Sequence, residues 1–412
     1  MPHALFFMIG ARLIMKLNKE KLPIIYDSLK RNNVDAWMIV GRETIMRSEP
    51  ILPVLGDDMA FIIATALLFT KDKCLAIVSP LDVDGYKMID GIDEIHEYKT
   101  TMEETILQVL SELKPKTLAL DISANDAAAD GLSYGMYLSL KEEVLDKLDT
   151  VPQIVPASAI ISEVRGRKTA SQIEKIRICA EKAEEYLSRV PEVCHEGTTS
   201  LDIFNFLHDV AYAEGFTMSW AESQCPSVSC DPRVKQGHSG LIDTPLVKGC
   251  TINIDYGVAK DGYCSDLQRM YYVLKDDEDD APSSVKEAFY LVRDAIDAAR
   301  RFMKPGVTGF EVDQVARHMI VDMGFDSWNA ALGHQVGHVT HDGGTILANR
   351  RPRYNKPELI DTPLQVGNVF TIEPGIEIPE GRIGIEEDVV ILEDETKWLA
   401  KPQQELILIR LK

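Results

Sequence analysis

The strongest constraint on the fold comes from two stretches of the sequence. Each has the pattern strand–turn–strand and carries acidic residues within its apolar strands. The first, TINIDYGVAKDGYCSDLQRMYYVL, alternates apolar and polar residues, reaches an Asp-Gly pair typical of a hairpin turn, and returns as a strand. The midpoint between Asp255 and Asp266 falls in that turn. The two side chains should therefore lie opposite or nearly opposite each other, with Cβ atoms about 4.5–5.5 Å apart in a direct pair.

The second stretch, VFTIEPGIEIPEGRIGIEEDVVIL, repeats the arrangement with glutamates. Glu373 and Glu386 are equally far from the PEG turn, which predicts that they face each other. Glu387 should point to the opposite side, because successive strand residues alternate between the two faces of a sheet. Each acid alone fits an exposed strand position about as well, but two facing pairs of like charges favour a cation between them.

A histidine cluster, ALGHQVGHVTHDGG, lies between the two stretches in sequence and contains His334, His338 and His341. A single histidine is more often a hydrogen-bonded structural residue than a ligand. Beside four carboxylates, however, one imidazole completes a donor set that suits a pair of divalent ions such as manganese, cobalt, iron or zinc. The ions of two-metal sites lie about 3.5–4 Å apart and activate a bridging water.

A length of 412 residues exceeds one ordinary hydrophobic core and predicts two domains. The first part combines a helical stretch, KEKLPIIYDSLKRNN, with the short apolar strands AWMIV, CLAIVSP and TLALDIS, which is typical of an α/β domain. The proline-containing stretch TVPQIVPASAI is the predicted connection. We therefore predict a tail or upstream start at 1–14, an N-terminal domain at 15–155 and a catalytic domain at 156–412.

Capping-box spacing predicts where helices of the second domain begin. A Ser or Thr followed three residues later by Glu or Gln occurs at Thr169–Gln172, Ser284–Glu287 and Thr308–Glu311. His318 lies within the helix that should follow the last of these boxes, and it needs no function there.

The composition excludes several classes of function. A net charge of −21 argues against a nucleic-acid surface, which needs a basic stripe. No segment is long and apolar enough to cross a bilayer, so no membrane partner is expected. The seven cysteines are odd in number, and Cys225 and Cys230 lack a second pair for a zinc site. Without an export signal at the start, we expect reduced thiols and a cytoplasmic protein.

Together, the aspartate motif DYGVAKDGYCSD, the histidine motif HQVGHVTH and the glutamate motifs TIEPG and IGIEED resemble those of the pita-bread metallopeptidases. Within them, the chain resembles the branch of aminopeptidase P, prolidase and creatinase over nearly its whole length, including the linking helix VRGRKTASQIEKIR. The resemblance implies an α/β, creatinase-like N-terminal domain followed by an α+β pita-bread catalytic domain. It also implies a homodimer, because the N-terminal domain of this branch often makes dimer contacts.

The resemblance implies a role for each motif residue. The implied metal ligands are Asp255, Asp266, His334, Glu373 and Glu386. His341 would face the substrate together with His238, in KQGHSGL, whereas His338 receives no role. The implied cofactors are two divalent ions, with manganese favoured, and the implied nucleophile is a hydroxide that bridges them. Glu373 would carry the proton to the leaving nitrogen, while His238 and His341 stabilise the tetrahedral intermediate.

Four positions depart from the family pattern, and they concern the substrate pocket rather than the ligand set. Ala330 replaces a histidine, Glu377 stands where an aromatic residue is frequent, and Gln268 replaces a threonine. Gly384 replaces an arginine, but Arg382 lies two residues earlier on the same strand face and is the candidate for that substrate contact. These departures weaken the case for strict proline specificity more than the case for hydrolysis.

The sequence therefore predicts a metal-dependent peptidase that cleaves short peptides at Xaa-Pro bonds, as a dipeptidase or an aminopeptidase. The alternative is a related pita-bread hydrolase or lyase that acts on a small non-peptide C–N or C–X substrate. A non-catalytic binding module on the same fold is a third hypothesis. The complete implied ligand set argues against that module and against creatinase, which lacks these ligands.

Overall fold

The computed structural model describes residues 15–56, 58–234 and 240–412. The chain divides into two compact units, Met1–Val164 and Arg165–Lys412. Helix Ser158–Gly166 crosses this division, and the domain break predicted after residue 155 stays a prediction. The tail predicted at 1–14 lies outside the described residues.

The first unit is built around a six-stranded mixed sheet. Its strands are β1 (Ala36–Gly41), β2 (Thr65–Thr70), β3 (Cys74–Val78), β4 (Glu94–Glu97), β5 (Thr117–Leu120) and β6 (Gln153–Pro156). The helices from its start to the unit division are α1 (Leu22–Arg31), α2 (Leu52–Leu55), α3 (Val83–Tyr86), α4 (Met102–Leu113), α5 (Tyr134–Glu143) and α6 (Ser158–Gly166). The strand order is β4-β3-β2-β1-β5-β6, with β1 parallel to β5 and antiparallel to β2. The strands predicted at AWMIV, CLAIVSP and TLALDIS are confirmed as β1, β3 and β5.

The central position of β1 in this sheet follows from its apolar side chains. All six of its residues are buried, and such continuous burial is typical of a strand covered on both faces. The Trp37 indole N–H donates a hydrogen bond to Asp121 at 2.5 Å. The largest side chain of the strand therefore keeps its polar atom paired inside the core.

Capping boxes mark the starts of two of the three helices predicted from them in the second unit. The helices of this unit after α6 are α7 (Ala170–Ser188), α8 (Ser200–Ala213), α9 (Ser283–Phe302), α10 (Gly309–Asp322) and α11 (Pro357–Ile360). The boxes predicted at Thr169–Gln172 and Thr308–Glu311 are both present, at the starts of α7 and α10. The box predicted at Ser284–Glu287 is wrong, because α9 already begins at Ser283 after Pro282, which has no side-chain acceptor. Ser284 therefore lies inside the first turn rather than at the cap.

Short, mostly antiparallel strands carry the acidic stretches of the second unit. They are β7 (Thr217–Met218), β8 (Ser227–Ser229), β9 (Thr251–Tyr256), β10 (Val258–Lys260), β11 (Tyr263–Cys264), β12 (Leu267–Val273), β13 (Val369–Ile372), β14 (Gly375–Ile378), β15 (Gly381–Gly384), β16 (Glu387–Ile391), β17 (Thr396–Trp398) and β18 (Ile407–Ile409). The sheets have the orders β18-β12-β9-β8, β13-β16-β17, β14-β15 and β11-β10-β7. Helices α9 and α10 share one apolar cluster with strands β13 to β16. The apolar side chains of this cluster hold in place the strands on either side of Glu373 and Glu386.

The described residues bear on two expectations from the sequence, namely that no segment crosses a membrane and that the cysteines are reduced. No helix within them combines the length and the apolar character that a membrane crossing needs. All seven cysteines lie within them as free thiols, and most are buried. Burial raises the pKa of the Cys179 thiol to about 12, so this thiol stays protonated and is a poor nucleophile.

The capping box at α10 predicts a measurable effect on stability. Replacing Thr308 by Ala removes the hydroxyl that accepts a hydrogen bond from the Glu311 backbone N–H, and we expect a loss of about 1 kcal/mol in the free energy of unfolding. Urea denaturation followed by circular dichroism measures this loss. The matched control is Ser284→Ala, which removes an exposed hydroxyl that caps no helix and should cost less than about 0.5 kcal/mol. Equal losses in the two variants would contradict the assigned role of the box.

Candidate metal centre

The facing of Glu373 and Glu386, predicted from the midpoint of their stretch, is confirmed. Ile372 pairs with Glu387 in one ladder, and Gly375 pairs with Gly384 in the next. Continuing either ladder by one or two residues places Glu373 opposite Glu386. Glu387 lies on the other face, where its carboxylate accepts hydrogen bonds from the Arg269 guanidinium at 3.0 Å and the Gln403 backbone N–H at 2.8 Å.

In the first hairpin the two aspartates are nearly opposite each other rather than directly opposed, because the register differs by two residues from a direct pair. Asp255 pairs with Gln268 rather than with Asp266. The reason is the turn itself, since Asp261 and Gly262 both adopt positive φ, 52° and 75°, and form its centre. Asp266 immediately precedes β12 and is the diagonal neighbour of Asp255, so the two aspartates share a face without being directly opposed.

Backbone hydrogen bonds tie the His334 segment to strand β13 and to Glu373, which directly follows that strand. The Thr371 N–H donates to the His334 carbonyl at 2.9 Å, and the Glu373 N–H donates to the Leu332 carbonyl at 2.7 Å. Atom Nε2 of His334 then lies 3.5 Å from Oε1 of Glu373 and 3.6 Å from Oδ2 of Asp266. Atom Nδ1 is 3.3 Å from the Gln335 carbonyl, a contact that directs the Nε2 lone pair toward the carboxylates.

The side chains converge on a point that has the donor chemistry of a cation site. One ligand atom each from Asp266, His334 and Glu386 lies within 4.8 Å of the others. Oxygen Oδ1 of Asp266 and oxygen Oε1 of Glu386 are buried and have no hydrogen-bond partner. Buried carboxylate oxygens without donors are costly unless a cation satisfies them. These residues therefore fit a divalent metal ion with oxygen and imidazole ligands.

Burial and like-charge repulsion change the pKa values of these groups. Burial, followed by the charge of Asp255, raises the pKa of Glu373 to about 8. Burial also raises the pKa values of Asp266 and Glu386 well above the usual range, and neighbouring carboxylates add to the effect. Burial and the proximity of His341 lower the pKa of His334 to about 3, so its imidazole is neutral and able to bind a metal.

One cavity of about 830 Å³ collects the predicted site residues that the structure describes. Those that line it are Asp255, Asp266, His334, His341, Glu373, Arg382 and Glu386. The His341 ring lies edge-on to the His334 ring at a centroid distance of 4.3 Å. His238 lies outside the described residues. His338 packs against the Tyr263 ring, at a centroid distance of 4.2 Å.

Sequence reasoning missed several polar residues of the cavity wall. Asn253 lines it and was not singled out, whereas Gln268, which also lines it, was singled out only as a departure from the family pattern. Both lie two positions from an aspartate, so strand alternation was the signal that could have found them. Trp220 and Ser227 also line the cavity, but no sequence motif marks them.

A cavity lined by carboxylates and an imidazole, on an α+β unit that follows an α/β unit in the chain, has the donor set of a metalloenzyme. Residues 174–393 match metallopeptidase family M24, and the chain belongs to that family. The predicted fold, an α/β N-terminal domain followed by an α+β pita-bread domain, and the predicted family are confirmed by this match and by the solved structures that the chain resembles.

Relatives with peptidase and dipeptidase names cover most of the chain. An Xaa-Pro dipeptidase of Pyrococcus furiosus is 29% identical in an alignment of 351 positions that covers 80% of this chain and 90% of the relative. An uncharacterized peptidase of Bacillus subtilis is 24% identical over 403 residues, which are 96% of this chain and the whole relative. A solved Xaa-Pro dipeptidase from Bacillus anthracis is 22% identical, with a TM-score of 0.71, over 95% of this chain and 99% of that one.

The shifted pKa values predict how pH changes the melting temperature of the metal-free protein, measured in the presence of a chelator. Glu373, raised from 4.5 to about 8, binds more protons folded than unfolded, so its stabilising contribution is lost as pH rises through this range. His334, lowered from 6.5 to about 3, acts in the opposite direction, but its effect is complete above pH 6.5. We therefore expect the melting temperature to fall between about pH 6.5 and 8 in chelator, and saturating Mn²⁺ to remove this fall.

The control for this prediction is Glu373→Gln, which removes one of the titrating groups without changing the shape of the side chain. Its melting temperature in chelator should decline less steeply than that of the wild type over the same pH range. If the wild-type slope is the same with chelator as with Mn²⁺, the site is not the source of the pH dependence.

Proposed function

We propose that the chain is a metal-dependent peptidase that hydrolyses short peptides at Xaa-Pro bonds, as a dipeptidase or an aminopeptidase. The observation that carries this proposal is the convergence of buried carboxylate oxygens without hydrogen-bond partners on one neutral imidazole, inside a cavity large enough for a short peptide. Membership in family M24 supports hydrolysis of a peptide bond. The name of the Pyrococcus furiosus relative supports the Xaa-Pro assignment.

We assign the metal ligands to the residues that line the cavity with carboxylate or imidazole groups. They are Asp255, Asp266, His334, Glu373 and Glu386. A carboxylate-rich donor set with one imidazole favours manganese among the divalent ions. When bound, two such ions would lower the pKa of a water molecule and supply a hydroxide near neutral pH.

The remaining chemistry belongs to the side chains of the cavity wall. Glu373 would accept the proton of the attacking water and deliver it to the leaving nitrogen. His341 would donate a hydrogen bond to the substrate carbonyl oxygen and stabilise the charge that develops there. We propose the same type of contact for His238. For an Xaa-Pro bond the leaving group is a proline nitrogen, which bears no hydrogen before cleavage and therefore requires a delivered proton.

Arg382 is our candidate for binding the carboxylate end of the substrate. Its guanidinium lies close over Gly375, where an added Cβ would be 2.5 Å from Nη2. From there its charge lowers the pKa of Glu373, against the effect of burial. Its Nη1 is 3.5 Å from Oε1 of Glu377, an exposed carboxylate that balances part of its charge. The electrostatic effect of Arg382 on Glu373 supports the proposal that Arg382 takes the role of an arginine at position 384.

A second cavity gives a specific reason to keep the alternative function open. It has a volume of about 620 Å³, and Ala330, Glu377 and Arg382 line it as well as the metal cavity. Ala330 and Glu377 are two of the positions that depart from the family pattern. The space beside the metal centre is therefore open on this side and can accommodate residues larger than proline. Since its lining includes two of the departures, the alternative of a small non-peptide C–N or C–X substrate stays open.

A homodimer and a cytoplasmic location stay predictions.

Hydrolysis of Ala-Pro, Ala-Pro-Ala and Ala-Ala by the purified protein tests the proposal directly. We expect cleavage of at least one proline peptide with Mn²⁺, and loss of this cleavage in excess chelator. The ratio of dipeptide to tripeptide cleavage then distinguishes a dipeptidase from an aminopeptidase. If the protein binds close to two metal ions per chain and cuts none of the three peptides, the Xaa-Pro assignment fails.

Substitution of His341 by Asn tests its role as a donor to the developing charge. We expect kcat to fall by about 10²–10³-fold, the usual cost of losing one such donor, with metal content unchanged. The matched control is His338→Asn, which alters a neighbouring histidine that packs against Tyr263 instead and should retain nearly all activity. Equal losses in the two variants would show that the effect comes from the segment and not from the His341 imidazole.

A further inference from the structure

The side chain of Gln268 lies between the two glutamates of the metal centre. Its Nε2 is 2.8 Å from Oε2 of Glu386 and 3.5 Å from Oε2 of Glu373. Its Oε1 accepts a hydrogen bond from Nδ2 of Asn253 at 3.3 Å, and that amide also donates to the Gly384 carbonyl at 2.8 Å. Gln268 is buried, with 5% of its surface exposed. Both ends of its amide are therefore engaged inside the site.

These contacts determine which carboxylate oxygens remain available. The Gln268 amide occupies Oε2 of Glu386, while Oε1 of the same carboxylate is buried without a partner. In Glu373, Oε2 faces the amide and Oε1 lies 3.5 Å from Nε2 of His334. One neutral donor thus contacts one oxygen of each glutamate, closely in Glu386 and at 3.5 Å in Glu373, and leaves the other oxygen of each available to a metal ion. The backbone supports this arrangement, because Gln268 and Glu386 exchange N–H···O bonds at 3.3 and 3.2 Å.

The room for the Gln268 amide comes from the missing side chain at Gly384. An added Cβ at this position would be 2.9 Å from Oε1 of Gln268 and 3.1 Å from Nε of Arg382. Both distances are shorter than ordinary van der Waals contacts. Any larger residue at 384, an arginine included, would displace the amide or the Arg382 side chain.

We propose that Gln268 is a positioning residue that orients Glu373 and Glu386 for metal binding, and that Gly384 is required to accommodate it. The inference rests on the proposed metal centre, but it does not depend on which substrate the enzyme cleaves. Hydrogen bonds that orient metal ligands from outside the coordination sphere typically change metal affinity by about 10–100-fold when they are removed.

Metal binding by Gln268→Met tests the first part, because methionine keeps the length of the side chain and removes the amide. Isothermal calorimetry should show Mn²⁺ binding weakened by about 10–100-fold, and the visible spectrum of the Co²⁺-loaded protein should change. The matched control is Gln403→Met, since Gln403 is also buried and its side-chain amide bonds strand β12 away from the metal centre, accepting from Met270 N–H at 2.9 Å and donating to Met270 C=O at 2.7 Å. It should lose stability but keep the wild-type Mn²⁺ affinity and Co²⁺ spectrum. Wild-type affinity and spectrum in Gln268→Met would overturn the proposal, as would equal weakening in both variants.

A double-mutant cycle tests the second part. Gly384→Ala alone should weaken Mn²⁺ binding, because the added methyl group meets the Gln268 amide. In a Gln268→Ala background the same change should have little further effect, so that the two losses do not multiply. Losses that multiply would refute the coupling. All these measurements omit peptide, so a wild type that binds Mn²⁺ tightly but cleaves no peptide would sink the proposed function and leave this inference standing.

Discussion

The mutual repulsion of buried carboxylates is the constraint on which the second unit is organised. Asp266, Glu373 and Glu386 all have raised pKa values because the fold removes them from water and places them near one another. Two antiparallel ladders and an apolar cluster hold the strands in place against this repulsion. Bringing these carboxylates together therefore destabilises the metal-free fold. A bound cation relieves the repulsion, and this relief contributes to its binding free energy.

The three consecutive acids from Glu386 to Asp388 have different surroundings, and only the first faces the cavity. Glu386 faces the cavity with one oxygen unpaired, while its neighbour Glu387 lies on the opposite face in a buried ion pair with Arg269. Asp388 returns to the first face and accepts a hydrogen bond from the Asp266 N–H at 3.1 Å, which fixes the backbone of another proposed ligand. A slip of one residue in this strand would exchange these environments and leave Arg269 without its partner. The register is therefore as important to the site as the residue types.

The sequence predicted those features that follow from local periodicity. Glu373 and Glu386 face each other because the hairpin between them is symmetrical about its two-residue turn. The same reasoning placed Asp255 and Asp266 opposite or nearly opposite each other but could not distinguish the two, because the Asp-Gly turn, and not the midpoint between the two acids, sets the register. The contact of Gln268 with Glu386 was out of reach, since it joins residues 118 positions apart through an isolated bridge between sheets. No repeating pattern in the sequence encodes such a bridge.

The close approach of Gln268 to Gly384 also bears on how a site like this one can change over generations. A glutamine introduced beside a larger residue at 384 would meet that residue at once, whereas a glycine introduced first leaves the shorter side chain at 268 undisturbed. The accessible order of substitution is therefore loss of the side chain at 384, followed by enlargement at 268. Reversal is disfavoured in the same way, because a side chain that returns to 384 meets the Gln268 amide. Residues 268 and 384 are therefore coupled, so that a change at one position limits the side chains that the other can accept.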